Sequence, residues 1–296
     1  MTVPMLFLAL TLGHTAPDTT LRLPRNGAVE IDTRNRDVIV RTGASDIVTV
    51  RGGSAELDGG TLQIGGDERR SRGTTAIEVT LPTWARVEVN TLGGNLTFTG
   101  APDRLNATTV NGFIHLTGGT GTVELETVAG AVVVNDFHGT KLAIDATGGP
   151  VTVTNATGTI TVDEVNSSVS LRGIRSMNVT AGSVNGPVEF EGPFLPGGRY
   201  DFNSQNNNVT LILPADVSAR MKVSTMNGEL MTPQIPATTT GARDDRGSRG
   251  DKGDKGNKGK DRGGDGEHTF TVVYGSGAAS VTVDVFNGNV VVKKKP

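Results

Sequence analysis

The side chains best placed to do chemistry in this sequence are three carboxylates, Glu126, Asp145 and Asp163. They occupy the same outward position in three successive copies of a repeated block. If the copies stack in parallel, their like charges lie about 5 Å apart and repel one another. Ca²⁺ prefers carboxylate oxygens as ligands, and its binding would relieve this repulsion. The alternative is that the three carboxylates form a solvated acidic face whose charges are screened by salt. The row predicts a candidate calcium site and suggests no other cofactor.

Other signs of catalysis or metal binding are missing from the sequence. The four histidines, His14, His115, His138 and His268, do not form a metal-ligand motif such as HExxH. No nucleophile elbow, phosphate-binding glycine loop or dinucleotide fingerprint occurs, and the chain has no Cys. A polysaccharide lyase or hydrolase would need acids or bases that converge in a cleft. The sequence therefore predicts no catalytic residue and no enzyme.

A second outward face of the repeat is nearly uncharged and partly apolar. Phe113 and His115 lie in one copy, and Ala131 and Val133 occupy the same positions in the next. Exposed apolar patches of this kind often mark interaction sites. The alternative is that the N-terminal segment or a loop covers this face, so that it is not available to a partner. Phe113, His115 and Val133 are the predicted contact patch.

An internal repeat must position these residues. Eight copies of an eight-residue block start 18, 18, 19, 18, 19, 21 and 21 residues apart, and two further copies lie near the ends of the sequence. The ten copies are residues 33–40, 91–98, 109–116, 127–134, 146–153, 164–171, 183–190, 204–211, 225–232 and 285–292. The sixth position is aliphatic in every copy: Val38, Leu96, Ile114, Val132, Val151, Val169, Val188, Val209, Leu230 and Val290.

The repeat predicts an all-β, single-stranded β-solenoid with coils of about 18–21 residues. Alternating apolar residues before and within each block place one face of two short strands inward. The third position is Asn in seven of ten copies, and Asn or Gly at such a position allows a sharp turn. Antiparallel hairpins are the alternative. Stacked coils are favoured because they share one continuous core.

Composition fits an exported β protein. The chain has 296 residues, 41 Gly, 4% aromatic residues and a net charge of −3, which gives no reason to expect nucleic-acid binding. An apolar run at residues 3–12 predicts a signal peptide over 1–16, although no Lys or Arg precedes it, and a buried N-terminal strand is the alternative. No segment is long and apolar enough to predict a transmembrane helix.

The repeat divides the chain into five parts. After the signal peptide we expect an N-terminal β cap (17–75), the solenoid (76–240), a charged glycine-rich insert (241–268) and a final solenoid coil (269–296). The insert has Gly at every third residue from Gly247 to Gly259 but no Pro. Its near-balanced charges predict disorder rather than a collagen-like trimer.

Three pieces of sequence resemble a known family. They are IEVTLP at 77–82 with VEVNT at 87–91, VTLILP at 209–214 with MKVSTMNG at 221–228, and VTVDVFNGNV at 281–290. Together they are similar to a bacterial β-strand-repeat family of unknown function, whose members are often labelled putative adhesins. The resemblance covers roughly residues 25–292 and implies a β-solenoid in the cell envelope.

Three functions follow as alternatives. The first is an exported contact protein, periplasmic or on the cell surface, whose partner is a protein or glycan of the envelope. The second is a periplasmic scaffold or envelope sensor made of stacked solenoids. The third is a polysaccharide-active enzyme on a β-helix, for which the repeat offers no cleft.

Overall fold

Parallel strands arranged in stacked coils make up nearly all of the structure. The computed structural model describes residues 18–25, 27–65, 76–232, 235, 237–243 and 268–295. The predicted signal peptide (1–16) lies outside these residues, and so do residues 244–267 of the predicted insert. The described part of the chain contains 27 strands, and no helix in it is long and apolar enough to cross a membrane.

The strands are short and regularly spaced along the chain. In chain order they are β1 (Thr19–Arg22), β2 (Ala28–Thr33), β3 (Val38–Gly43), β4 (Ile47–Arg51), β5 (Ser54–Asp58), β6 (Thr61–Gly65), β7 (Ile77–Pro82), β8 (Arg86–Thr91), β9 (Leu96–Thr99), β10 (Arg104–Thr109), β11 (Ile114–Thr117), β12 (Thr122–Thr127), β13 (Val132–Asn135), β14 (His138–Ala146), β15 (Val151–Thr154), β16 (Thr157–Glu164), β17 (Val169–Arg172), β18 (Asn178–Ser183), β19 (Val188–Glu191), β20 (Arg199–Ser204), β21 (Val209–Leu213), β22 (Ala219–Thr225), β23 (Leu230–Met231), β24 (Ala237–Arg243), β25 (His268–Tyr274), β26 (Ala279–Val285) and β27 (Val290–Lys294).

Each coil gives one strand to each of two sheets. The thirteen-stranded sheet has the order β1-β4-β7-β3-β9-β11-β13-β15-β17-β19-β21-β27-β23. The fourteen-stranded sheet has the order β24-β25-β22-β26-β20-β18-β16-β14-β12-β10-β8-β2-β6-β5. From β8 to β21, consecutive coils pair in parallel. The predicted β-solenoid is confirmed, and its two strands per coil form two sheets.

The core lies between the two sheets and is built from the inward positions of the repeat. Val132, Val151 and Val169 are register partners on neighbouring coils and are at most 1% exposed. Similar apolar rows continue along both sheets. Full burial of such a side chain stabilises the fold by about 1.5–3 kcal/mol relative to exposure. The core therefore stabilises neighbouring coils jointly, since no coil could bury this face alone.

The turn between the two strands of a coil is stabilised by an amide ladder. Neighbouring Asn side chains donate Nδ2–H to Oδ1 at 2.8–3.1 Å. The ladder runs, in spatial order, through Asn166, Asn185, Asn206, Asn287 and Asn227. The repeated Asn is thus explained by bonds between coils as well as by turn geometry.

The glycine after this turn position is required by close stacking. A Cβ atom at Gly130 would overlap the carbonyl oxygen of Gly112 on the neighbouring coil. The same overlap would arise at Gly149, whose neighbour is Gly130. Only glycine allows the backbones of adjacent turns to approach this closely.

The order of coils in space departs from their order in the chain at both ends. The coil of β2 and β3 lies between the coil of β6 and β7 and the coil of β8 and β9. At the other end, the coil of β26 and β27 lies between that of β20 and β21 and that of β22 and β23. The last coil in sequence is therefore the second from the end in space.

Antiparallel strands form three of the four sheet edges, whereas the thirteen-stranded sheet ends at β23, which pairs in parallel with β27. β1 and β4 cover one end of the thirteen-stranded sheet, and β5 pairs antiparallel with β6 at the edge of the fourteen-stranded sheet. At the opposite end, β25 pairs antiparallel with β22 and β24. Of the predicted cap (17–75), β1, β4 and β5 act as a cap, whereas β2 and β3 form an ordinary coil. The boundaries of the predicted insert also differ, since residues 241–243 belong to β24 and His268 begins β25.

Candidate functional site

The structure brings the three predicted carboxylates together in one row. Glu126 of β12 is the register partner of Asp145 of β14, which in turn faces Asp163 of β16. All three side chains are exposed on the outer face of the fourteen-stranded sheet. The row, here called the acidic row, continues on the same face to Asn203 and Asp284.

Burial and a neighbouring charge both act on Asp163 in the acidic row. The pKa of Asp163 is raised above its ordinary value, first by partial burial and then by the charge of Asp145. Asp201, in the adjacent row of the same face, has its pKa raised by partial burial and by the charge of Asp284. Among the residues that the structure describes, no three Asp, Glu or His side chains are placed to hold one metal ion. Calcium binding by Glu126, Asp145 and Asp163 stays a prediction.

A buried carboxylate, Glu164, lies directly beside the acidic row and was missed by the sequence analysis. It is 3% exposed and accepts hydrogen bonds from the backbone N–H groups of Asn166 (2.9 Å) and Ser167. The hydroxyl of Ser183 donates a third hydrogen bond at 2.9 Å. Seven of the other nine copies have Thr or Ser at this first position of the block and none has a charged residue, so the departure at residue 164 could have indicated it.

Apolar side chains that are exposed or half-buried form a second row that the sequence analysis did not identify. They occupy the second position of the block. The first position, directly before it, is buried and is Thr or Ser in most copies, for example Thr91, Thr109 and Thr127. This apolar ridge consists, in spatial order, of Leu92, Val110, Val128, Val165, Val184, Phe286 and Met226, with Thr147 and Gln205 as polar positions within it and Arg34 as the polar position next to Leu92 at one end. Leu92 is 56% exposed, Val128 46% and Phe286 51%. Backbone hydrogen bonds between successive turns hold the row straight.

A groove runs between the acidic row and the apolar ridge. Its central part has a volume of about 370 Å³ and is lined by Asp145 and Asp163 on one side and by Val128 and Val165 on the other. Further along the stack, between the same two rows, a second cavity of about 460 Å³ is lined by Asp284, Phe286 and other residues of the last coils. The two walls arise because the residues before and after the buried first position of each block both point outward.

The predicted contact patch lies across the turn from the ridge, on the thirteen-stranded sheet. His115 and Val133 are register partners, and Phe113 is 45% exposed. The backbone N–H of Phe113 donates to Asn95 Oδ1 at 3.2 Å, and its carbonyl accepts from the N–H of Leu96 at 2.9 Å. The patch is therefore held on rigid backbone.

A third surface, on the outer face of the fourteen-stranded sheet, carries charges of both signs. Arg86 and Arg104 are register partners at one edge of a groove of about 630 Å³ that also contains Glu88. Lys141 and Glu124 form an ion pair of 2.9 Å at the same groove. Neither sign of charge dominates here, so this surface indicates no particular ligand.

Comparison with known proteins identifies a family, and the similar solved structures include the two described below. A family model described as Toastrack DUF4097 matches residues 26–282. A structure of a putative adhesin from Parabacteroides merdae is similar at 15% identity and a TM-score of 0.47, covering 67% of this chain and 89% of the other. A putative cell adhesion protein from Clostridium sporogenes is similar at 10% identity and a TM-score of 0.21, covering 94% and 99%. No curated protein matches the sequence.

Proposed function

The chain belongs to the Toastrack DUF4097 family, and from this premise we propose that it is an exported, non-enzymatic, adhesin-like contact protein. It binds a protein or glycan of the cell envelope through side chains displayed on a rigid solenoid. The signal peptide predicted at residues 1–16 supports export.

The observation that carries the proposal is the contact patch on the thirteen-stranded sheet. Phe113 is a large apolar side chain that is 45% exposed although its backbone is fixed on both sides by hydrogen bonds. Exposed aromatic side chains are costly to leave in water and are enriched where proteins contact partners. His115 lies beside it and adds a polar group within the patch. A rigid patch loses little conformational entropy on binding, which favours affinity.

The scaffold alternative is less well supported because three of the four sheet edges are antiparallel strands. Filament growth through the ends would need open strand edges, which pair readily with other chains. Antiparallel strands form three of the four sheet edges in the described structure, and one of them, β5, carries Glu56 and Asp58. These charges and the reversed strand direction oppose continuous stacking of one molecule on another.

The contact function is tested by replacing the patch with polar residues. We expect the Phe113→Ser/Val133→Ser variant to lose at least about tenfold in binding to isolated envelope material, because truncating two apolar anchors removes buried contact area. Binding is measured as the amount of purified protein that cosediments with envelopes across a concentration series. The matched control is Thr210→Ser, on the same outer face but several coils away. Unchanged binding by the double variant would remove the patch from the proposed function.

A further inference from the structure

The groove between the acidic row and the apolar ridge has the features of a binding site for a specific kind of partner. We propose that it binds a basic polypeptide segment that carries apolar side chains. This site is distinct from the contact patch, since it lies on the other side of the turn and uses different residues.

The apolar wall of the groove is unusual for a solvent-facing turn. Seven of the nine positions from Leu92 to Met226 are apolar, and Leu92, Val128 and Phe286 are each about half exposed or more. Turn positions are normally polar, so a straight row of this kind marks an interaction surface rather than a structural need. With one side chain per coil, the row extends for about 38 Å along the stack.

The acidic wall determines the charge of the partner. Glu126, Asp145 and Asp163 are adjacent in register, and none of them forms an ion pair within the described residues. Burial and the charge of Asp145 already raise the pKa of Asp163, so the carboxylates would gain from a neighbouring cation. Lys or Arg side chains of a partner would neutralise the row without a metal ion.

Other occupants fit the groove less well. An anionic lipid surface or a nucleic acid would be repelled by the carboxylates. A second copy of this chain has a net charge of −3 and would bring the same acidic row against the first. A polypeptide segment of about twelve extended residues matches the length of the ridge at about 3.3 Å per residue. Charge complementarity and length together therefore favour a basic, apolar polypeptide.

The test uses a fluorescently labelled peptide of about twelve residues that alternates Leu and Lys. Its Kd for the full chain is measured by anisotropy at low and high salt. Two variants each remove one wall: Asp145→Asn/Asp163→Asn and Val128→Ser/Val165→Ser. The matched controls are Asp216→Asn, an exposed carboxylate outside the groove, and Phe113→Ser in the contact patch. Thermal unfolding of every variant establishes that the fold is retained.

We expect each double variant to weaken binding by about tenfold and each control to change it by less than about twofold. A peptide with Ser in place of Leu, or with Glu in place of Lys, should bind at least about tenfold more weakly than the original. Equal binding of the Glu peptide, or unchanged binding to either double variant, would overturn the proposal. It would also fail if sedimentation showed a dimer that Val128→Ser/Val165→Ser abolishes, because the ridge would then be occupied by a second copy. Loss of binding in Phe113→Ser alone would transfer the site to the contact patch.

Discussion

The Val151→Asp variant is expected to unfold the central coils. Val151 is fully buried between Val132 and Val169, with the facing sheet closing the core above it. A carboxylate at this position would have no described cation near it and would be removed from water. We expect the free energy of unfolding to fall by at least about 4 kcal/mol, a loss that is exceptional for one substitution.

Thr152→Asp is the matched control for this variant. Thr152 is the next residue of the same strand and faces outward, between Val133 and Ser170. Its replacement should change stability by less than about 1 kcal/mol, since the new charge stays in contact with water. Both variants are compared by urea unfolding followed by circular dichroism. Equal stability of Val151→Asp and the parent chain would show that the inward assignment of the repeat is wrong.

A chain that ends at Ala278 should lose two coils rather than one. It lacks β26 and β27, which lie between the coil of β20 and β21 and the coil of β22 and β23. Without them, β22 and β23 have no parallel neighbour and cannot share the core of the stack. Hydrogen exchange should therefore show loss of protection at residues 219–231 as well as at the newly exposed strands β20 and β21.

The control for this deletion is a chain that ends at Lys294, which keeps every paired residue of β27. We expect it to retain native exchange protection throughout residues 199–231. If residues 219–231 stayed protected in the chain that ends at Ala278, those strands would pair directly with β20 and β21. The observed order of coils would then not determine the stability of this end.

Local periodicity made much of the fold predictable. The alternation of apolar and polar residues indicated two strands per coil, and the sixth position of the block identified Val132, Val151 and Val169 as inward side chains. These positions are buried because a side-chain period of two leaves only one face available to the core. The same logic predicted the register of Glu126, Asp145 and Asp163. Each lies directly before the first position of its block, and equivalent positions of successive blocks align when the coils stack in parallel.

The order of the terminal coils could not be predicted in the same way. Residues 33–40 and 285–292 were recognised as copies of the block, but a repeat does not specify which copies are neighbours. Their intercalation depends on the long connections that bring β7 back beside β3 and β26 beside β22. Such pairings depend on tertiary contacts between segments far apart in sequence, and local patterns do not record them.

The candidate groove was missed because turn residues were considered only for their conformation. The second position of the block contains Val128, Val165 and Phe286, and comparison of the copies at that position would have indicated a largely apolar row. Glu164 was missed for a related reason, since it replaces a hydroxyl that is Thr or Ser in most other copies. In both cases, comparison of the same block position across successive coils would have identified the residues.

Protease treatment of intact cells, combined with fractionation, tests the proposed export and contact function most directly. Bacterial cells would express the full chain with a C-terminal tag and be compared before and after the outer envelope is opened. The proposal predicts that the tag is lost either from intact cells or on opening the envelope, with a cytosolic marker protein preserved in the same samples. Recovery of the protein in the cytosolic fraction, protected from protease in both treatments, would contradict it.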